Sequence, residues 1–323
     1  MVLSKRGGRF LPPLFLLLGL TASAREPLTY YIDWFPSAQF AGIYVACDRG
    51  YYADAGLDVT IRPFAFGQPP AAVQMDAAPQ VAAVGTQEGY IFLQRRAAGL
   101  DLRAYTAVLR QSPAGFMTRT ADRIEGPKDF IGRKVGIHKF ADPLYRWFLK
   151  KGGVTEAQAP FVFVGDDVSL LASGKLDVMQ GYAVDELVQA RRLIGRAKVH
   201  FISFRELGFD AYSQVIFATA AQVKAHDKAI RAFISATRRG WIYALAHPPE
   251  AVDAVNSRIP EAEDRSIQAD KLAALGRFVN PQDESPLSRL SLAKWKTMES
   301  QCVEMGLLAK AEDPEAFLVE CKP

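Results

Sequence analysis

Residues 32–58 read IDWFPSAQFAGIYVACDRGYYADAGLD, and they decide how the rest of the chain is understood. The run that leads into them, LTYYIDW (28–34), is β-branched and aromatic, as strands are. Pro36 turns the chain, and Phe40, Ile43, Tyr44 and Cys47 then recur at the spacing of one helical face. The helix stops at Gly50, and after AGLD a second run, LDVTIRPF, is again strand-like. A strand, a short connection, a helix and another strand form the unit of a parallel α/β layer. Asp33 and Trp34 stand at the mouth of the first connection, beyond the carboxyl end of a strand, where open α/β sheets bind their ligands.

The same alternation continues outward. PPAAVQMDAAP reads as a helix, QVAAVGT as a strand, QEGYIFLQRRAAG as a helix and LRAYTAVLR as a strand. After QSPAG a second set begins: FMTRT, KVGIHK, APFVFVG, LDVMQGY and KVHFISF as strands, with helices between them. AYSQVIFAT resembles a return strand, and helices dominate from DKAIRAFISATRRGWIYALA onward. Two α/β lobes are expected, joined by linkers near 110–114 and 210–214. The lobes would comprise residues 25–110 with 214–323, and residues 111–213.

The chain of 323 residues is long enough for two cores. Its first residues read as an export signal: Lys5, Arg6 and Arg9, then the apolar FLPPLFLLLGL, then TASA with its small residues Ala22 and Ala24. The apolar run is shorter than the roughly 20 residues that span a bilayer. Cleavage after Ala24 removes three basic side chains, so a net charge of +4 becomes +1. That balance excludes the concentrated basic face of a nucleic-acid binder. The histidines (His138, His200, His226, His247) and three cysteines show no metal-ligand spacing, so neither a metal nor a cofactor is expected. Cys302 and Cys321 stand 19 residues apart in an oxidising compartment and are expected to pair, leaving Cys47 free and buried.

Four stretches in order carry a family resemblance: DWFPSAQFAGIYVACDRGYYADAGLDV (33–59), KDFIGRKVGIH (128–138), GKLDVMQGYAVDE (174–186) and AIRAFISATRRGWIYALAHPPEAV (229–252). The set resembles the thiamine-precursor-binding (ThiY-like, NMT/THI-like) solute-binding proteins of ABC importers, which share their fold with a yeast enzyme that makes the thiamine pyrimidine. The resemblance implies a type II periplasmic-binding-protein fold: two α/β lobes with a ligand cleft between them, the first finished by the C-terminal helices. Three positions depart from the family's pattern. Ser37 stands where Asn is common, Phe40 where His is common, and Asp185 where Asn precedes Glu186.

Each candidate ligand contact has a plainer alternative. Trp34 offers a stacking surface or packs under a loop, and Asp33 accepts from ligand amines or caps a helix. Thr86 and Glu88 follow the third strand, where Thr86 could simply cap the next helix. Tyr44 reads as core first and ligand contact second. His138 follows the strand KVGI and faces the cleft or is a structural histidine. Tyr182 could stack and Glu186 accept from an amino or ring N–H, or Glu186 could cap the helix it opens. Asp210, with Tyr212 and Ser213, lies at the return linker as hinge or contact. The inventory is aromatic and acidic, with no Arg nominated at a strand end, and so favours a flat heteroaromatic with N–H donors over a sulfonate, nitrate or phosphate.

The expected function is that of an exported, periplasmic, monomeric binding protein that hands a thiamine pyrimidine precursor or related ligand to an ABC permease. Riboflavin, sulfonate and nitrate are the other solute classes, and a receptor that signals to a membrane sensor is a further reading. A pyrimidine-synthase-like enzyme is the alternative from another class; the Cys-rich CCCFC stretch of that enzyme has no counterpart here.

Overall fold

The computed structural model describes residues 24–65, 67–259, 264–280 and 285–320. The export signal therefore lies almost wholly outside the described residues, as does Cys321 and with it the expected bridge. Among the described residues Cys47 and Cys302 are free thiols. Cys47 is only half-buried, not buried as expected, because the face of its helix that it shares with Asp48 turns outward toward Arg258.

The described residues form two five-stranded sheets. The first contains β1 (Glu26–Tyr31), β2 (Leu57–Arg62), β3 (Ala82–Gln87) and β4 (Leu102–Leu109). The second contains β5 (Ala114–Arg119), β6 (Val135–Ile137), β7 (Phe161–Phe163), β8 (Val178–Tyr182) and β9 (Val199–Ser203). The chain then returns to the first sheet with β10 (Ser213–Thr219). The strand orders are β2-β1-β3-β10-β4 and β7-β6-β8-β5-β9, with β10 and β5 antiparallel to their neighbours. Every strand expected from the sequence is present, and the return strand sits between β3 and β4. The central strands β3 and β10 are buried along their whole length, as strands covered on both faces are.

Helix α1 (Ala41–Asp48) follows a short 3-10 turn at Ala38–Phe40 and ends where Gly50 takes a left-handed backbone at φ 69°. Helix α2 (Tyr51–Asp54) then leads into β2. The other helices are α3 (Ala71–Ala77), α4 (Gly89–Ala97), α5 (Asp142–Lys151), α6 (Ser169–Ala172), α7 (Glu186–Ile194), α8 (Ala220–Ala246), α9 (Pro248–Asn256), α10 (Arg265–Val279) and α11 (Leu292–Glu304). Among the described residues no helix is long and apolar enough to cross a membrane.

Helix α1, which follows the Asp33–Trp34 connection, lies close against the long helix α8. Backbone approaches backbone there: a Cβ on Gly240 would stand 1.9 Å from the carbonyl oxygen of Gly42, and one on Gly42 would stand 2.3 Å from the ring of the fully buried Trp241. Glycine is used at both positions for closeness, with no unusual backbone required. Gly240→Ala should therefore force the helices apart and destabilise the protein by about 1–3 kcal/mol or more, read as a lower denaturant midpoint. A midpoint equal to that of the parent would show that the crossing is not tight.

Candidate functional site

A cavity of about 940 Å³ opens between the carboxyl ends of the two sheets' strands. Its volume is at the upper end of small-molecule sites. From the first sheet it receives Asp33 and Trp34 after β1, Thr86 within β3 and Glu88 just after it. From the second it receives His138 after β6, Tyr182 at the end of β8 and Glu186 at the first turn of α7. The strand-end rule read from the sequence thus brings these seven residues to one site.

Two expected residues do not reach it. Tyr44 is 2% exposed in the core behind α1, with the Arg258 guanidinium 5.1 Å from its ring centre. The helical face it shares with Phe40 packs inward, so its plainer reading as core was correct. Asp210 instead accepts from Lys294 Nζ at 2.7 Å, and Arg205 lies 3.7 Å away. The half-buried ammonium of α11 needs a counter-charge, and Asp210 supplies it.

Among the described residues five carboxyl side chains line the cavity, and three of them, Asp33, Glu88 and Glu186, are candidates from the sequence. Asp33 Oδ1 accepts from the Thr86 hydroxyl at 3.1 Å, so Thr86 holds the acid and does not cap α4. Burial raises Asp33 to a pKa of about 6 against that bond. Glu88 Oε1 accepts from Ser213 Oγ at 2.7 Å and has the Tyr182 hydroxyl 3.5 Å away, across from the other sheet. Burial, aided by nearby Asp33, pushes Glu88 up to about 8. Glu186 is 3% exposed, and its Oε2 accepts from the Tyr182 backbone N–H at 2.8 Å. Its Oε1 lies 3.7 Å from His138 Nε2. Burial and then the neighbouring Asp185 hold Glu186 well above the carboxylate range. Glu186 thus closes the turn before α7 through one oxygen and lines the cavity, while α7 itself has no side-chain cap bond.

His138 Nε2 stands 3.2 Å from the Gly165 carbonyl, an acceptor, so that nitrogen carries the proton. Burial lowers the pKa of the imidazole and keeps it neutral, and among the described residues Nδ1 has no partner. Trp34 is half-buried within an aromatic group, stacked on Phe64 at 5.9 Å and edge-on to Phe35 at 5.6 Å.

The family departures have local explanations. Asp185 sits 2.8 Å from the buried Lys271 Nζ of α10, so the acid in place of Asn has a cation to neutralise it. Ser37 caps the 3-10 turn through Gln39 N at 3.3 Å, and Phe40 is fully buried; neither lines the cavity.

Sequence reasoning missed Phe64, Phe140, Gln214 and three cationic residues, Arg62, Arg95 and Lys139, all of which line the cavity. Arg62 ends β2, so the rule that found Asp33 would have found it too. Arg95 lies on the exposed-looking end of α4, and nothing local signals that it reaches the cleft.

The sign of the linkage follows from the raised pKa values. A carboxyl whose folded pKa exceeds its unfolded value adds stability while protonated, and that stability is lost as pH rises through the folded pKa. It is fully present below about 4, the ordinary carboxylate range, and is lost through about 6 for Asp33 and about 8 for Glu88. The melting temperature of the unliganded protein should fall between about pH 5 and pH 9, and Glu88→Gln should flatten the upper half of that fall. A Glu88→Gln profile parallel to the parent's would show that Glu88 is not buried in its neutral form.

Sequence and structure comparisons bear on the family and the fold. Residues 37–251 match the family model described as NMT1/THI5 like. A riboflavin-binding protein, RibY, of Chloroflexus aurantiacus is 28% identical over 251 residues, covering 75% of this chain and 70% of that protein. A formylaminopyrimidine-binding protein of Halalkalibacterium halodurans is 23% identical over 250 residues, covering 76% and 74%. Among solved structures, the periplasmic aliphatic sulphonate-binding protein SsuA of Escherichia coli superposes with a TM-score of 0.65 over 90% of this chain and 97% of its own, at 13% identity. The desulfurization enzyme DSZB does so at 0.63 over 91% and 96%, at 16% identity, so this architecture also carries chemistry elsewhere. With two five-stranded sheets in the periplasmic-binding-protein arrangement and a family model covering most of its length, the chain belongs to the NMT1/THI5-like family.

Proposed function

We propose that this chain is the exported, periplasmic binding protein of an ABC importer, and that it holds a small, flat nitrogen heterocycle without transforming it. One observation carries the reading: a single cavity collects Asp33, Glu88 and Glu186 together with the aromatic faces of Trp34 and Tyr182. Carboxyl groups that are buried or half-buried, and that have no Lys or Arg ion pair among the described residues, are satisfied by a ligand's N–H donors, which a sulfonate or nitrate lacks. Stacking supplies contact area that does not depend on the ring's substituents. Residues 25–110 with 214–323 and residues 111–213 act as the two lobes, moving about 110–114 and 210–214. Contacts from both lobes favour the shut form, and that differential affinity is what closes the clamp. The closed form is then what a permease recognises.

The presence of Arg62, Arg95 and Lys139 in the same cavity favours a second reading, an anionic solute held by guanidinium and ammonium groups. A thermal-shift series on the mature protein with riboflavin, the formylaminopyrimidine, thiamine, an alkanesulfonate and nitrate separates the two. The heterocycles should raise the melting temperature, and chromatography should recover the bound compound unchanged. Stabilisation by the sulfonate alone would overturn the heterocycle reading, and a converted compound would overturn the non-enzymatic one.

Trp34→Ala should weaken binding by at least tenfold, about 1.4 kcal/mol, and Glu186→Gln should weaken it as well. Both variants should remain folded. If Trp34→Ala instead lowers stability by the roughly 3–5 kcal/mol of a truncated core Trp while affinity is retained, the ring is a packing element and not a ligand surface.

A further inference from the structure

Gln214 combines two costs at one residue. Its backbone is left-handed, φ 49°, a region that glycine and asparagine enter more readily. The residue is 2% exposed, yet among the described residues neither its amide oxygen nor its amide nitrogen has a hydrogen-bond partner. Because both ends are unpartnered, the result does not depend on which end is taken as oxygen. A buried amide left unpaired carries its full desolvation penalty. The fold gains nothing visible from either cost.

What the backbone turn does achieve is placement. Successive residues of a strand point to opposite faces, so Ser213 and Gln214 should face opposite ways. Both line the cavity, because the left-handed residue breaks the alternation. Ser213 is used to hold Glu88 at 2.7 Å, and Gln214 is left with a free donor and a free acceptor beside it. On the adjoining strand, Gln87, which is 7% exposed and next in register at Val215, lines the same cavity with its amide nitrogen unpartnered. From the second sheet His138 adds its bare Nδ1. Polar groups of this kind, buried and unanswered within the protein, are placed for a ligand's polar edge.

We infer that Gln214 is the specificity-determining residue of the cleft, pairing through its amide with an edge of the heterocycle that carries an N–H beside a carbonyl or bare ring nitrogen. The inference rests on the heterocycle reading above and deepens it: the carboxyl groups take amine donors, and the amide selects lactam or amidine edges. Rings without such an edge leave the amide unpaired and bind more weakly.

The test uses riboflavin, with a lactam edge, and 4-amino-5-hydroxymethyl-2-methylpyrimidine, with an amidine edge. Calorimetric affinity is measured for the mature parent, Gln214→Met, which keeps the bulk, and Gln214→Gly, which also relieves the backbone. Both variants should bind the better probe at least about tenfold more weakly, while Gln214→Gly leaves the unliganded melting temperature unchanged or raised. Affinities within about twofold of the parent would overturn the inference alone. A lower melting temperature for Gln214→Gly with unchanged affinity would do the same, marking the residue as structural. A parent that binds neither probe would instead defeat the heterocycle reading, and the inference would fall with it.

Discussion

The burial of carboxyl groups where two sheets meet is the constraint on which the rest of this molecule depends. Glu88 shows it most clearly: its hydroxyl partners come from β10 of its own sheet and, at longer range, from β8 of the other. Neither contact brings a positive charge to neutralise it. Ionising such a group in the unfilled cleft is unfavourable, which is why its proton is retained to about pH 8. A site that is costly to charge when empty and favourable to charge when donors arrive links filling to the contacts that span both sheets.

The surrounding framework keeps those groups in place. The helix that follows the Asp33–Trp34 connection is held by its close crossing with α8, where Gly42 and Gly240 allow backbones to touch. Glu186 is fixed by its bond to Tyr182 N, and the start of its helix is tied to α10 through Asp185 and Lys271. Further along α7, Arg192 reaches Asp270 at 2.7 Å and Asp264 at 3.1 Å on the same segment. The helix that presents Glu186 thus bears on elements that follow the return to the first sheet, an arrangement in which a change at the cleft and a change in packing between the sheets are mechanically coupled.

Much of this was legible in the sequence. The strands appear in the sequence as short apolar, β-branched or aromatic runs, whether buried throughout like β3 and β10 or partly exposed like β2 and β7, and their carboxyl ends pointed to Asp33, Trp34, Thr86, Glu88, His138, Tyr182 and Glu186. Tyr44 is core, as its first reading had it, and Asp210 lies away from the cavity. A helix face can be read as apolar, but whether its Tyr turns to cleft or core depends on what packs behind it. Asp210 answers Lys294, a residue 84 positions away, and such a partner leaves no local trace. Arg62 was missed although the same rule covered it. The left-handed turn at Gln214 was out of reach, because glutamine carries no sign of that conformation and only the strand pairing reveals it.

Proton release on binding tests the central claim most directly. Titrating the stabilising heterocycle at pH 7 into the mature protein, in buffers that differ in ionisation enthalpy, counts the protons exchanged. If N–H donors convert neutral carboxyls at Glu88 and Glu186 to hydrogen-bonded carboxylates, roughly one proton or more is released per ligand. A binding enthalpy that is the same in every buffer would mean that the buried carboxyls do not meet the ligand's donors, and would contradict the account.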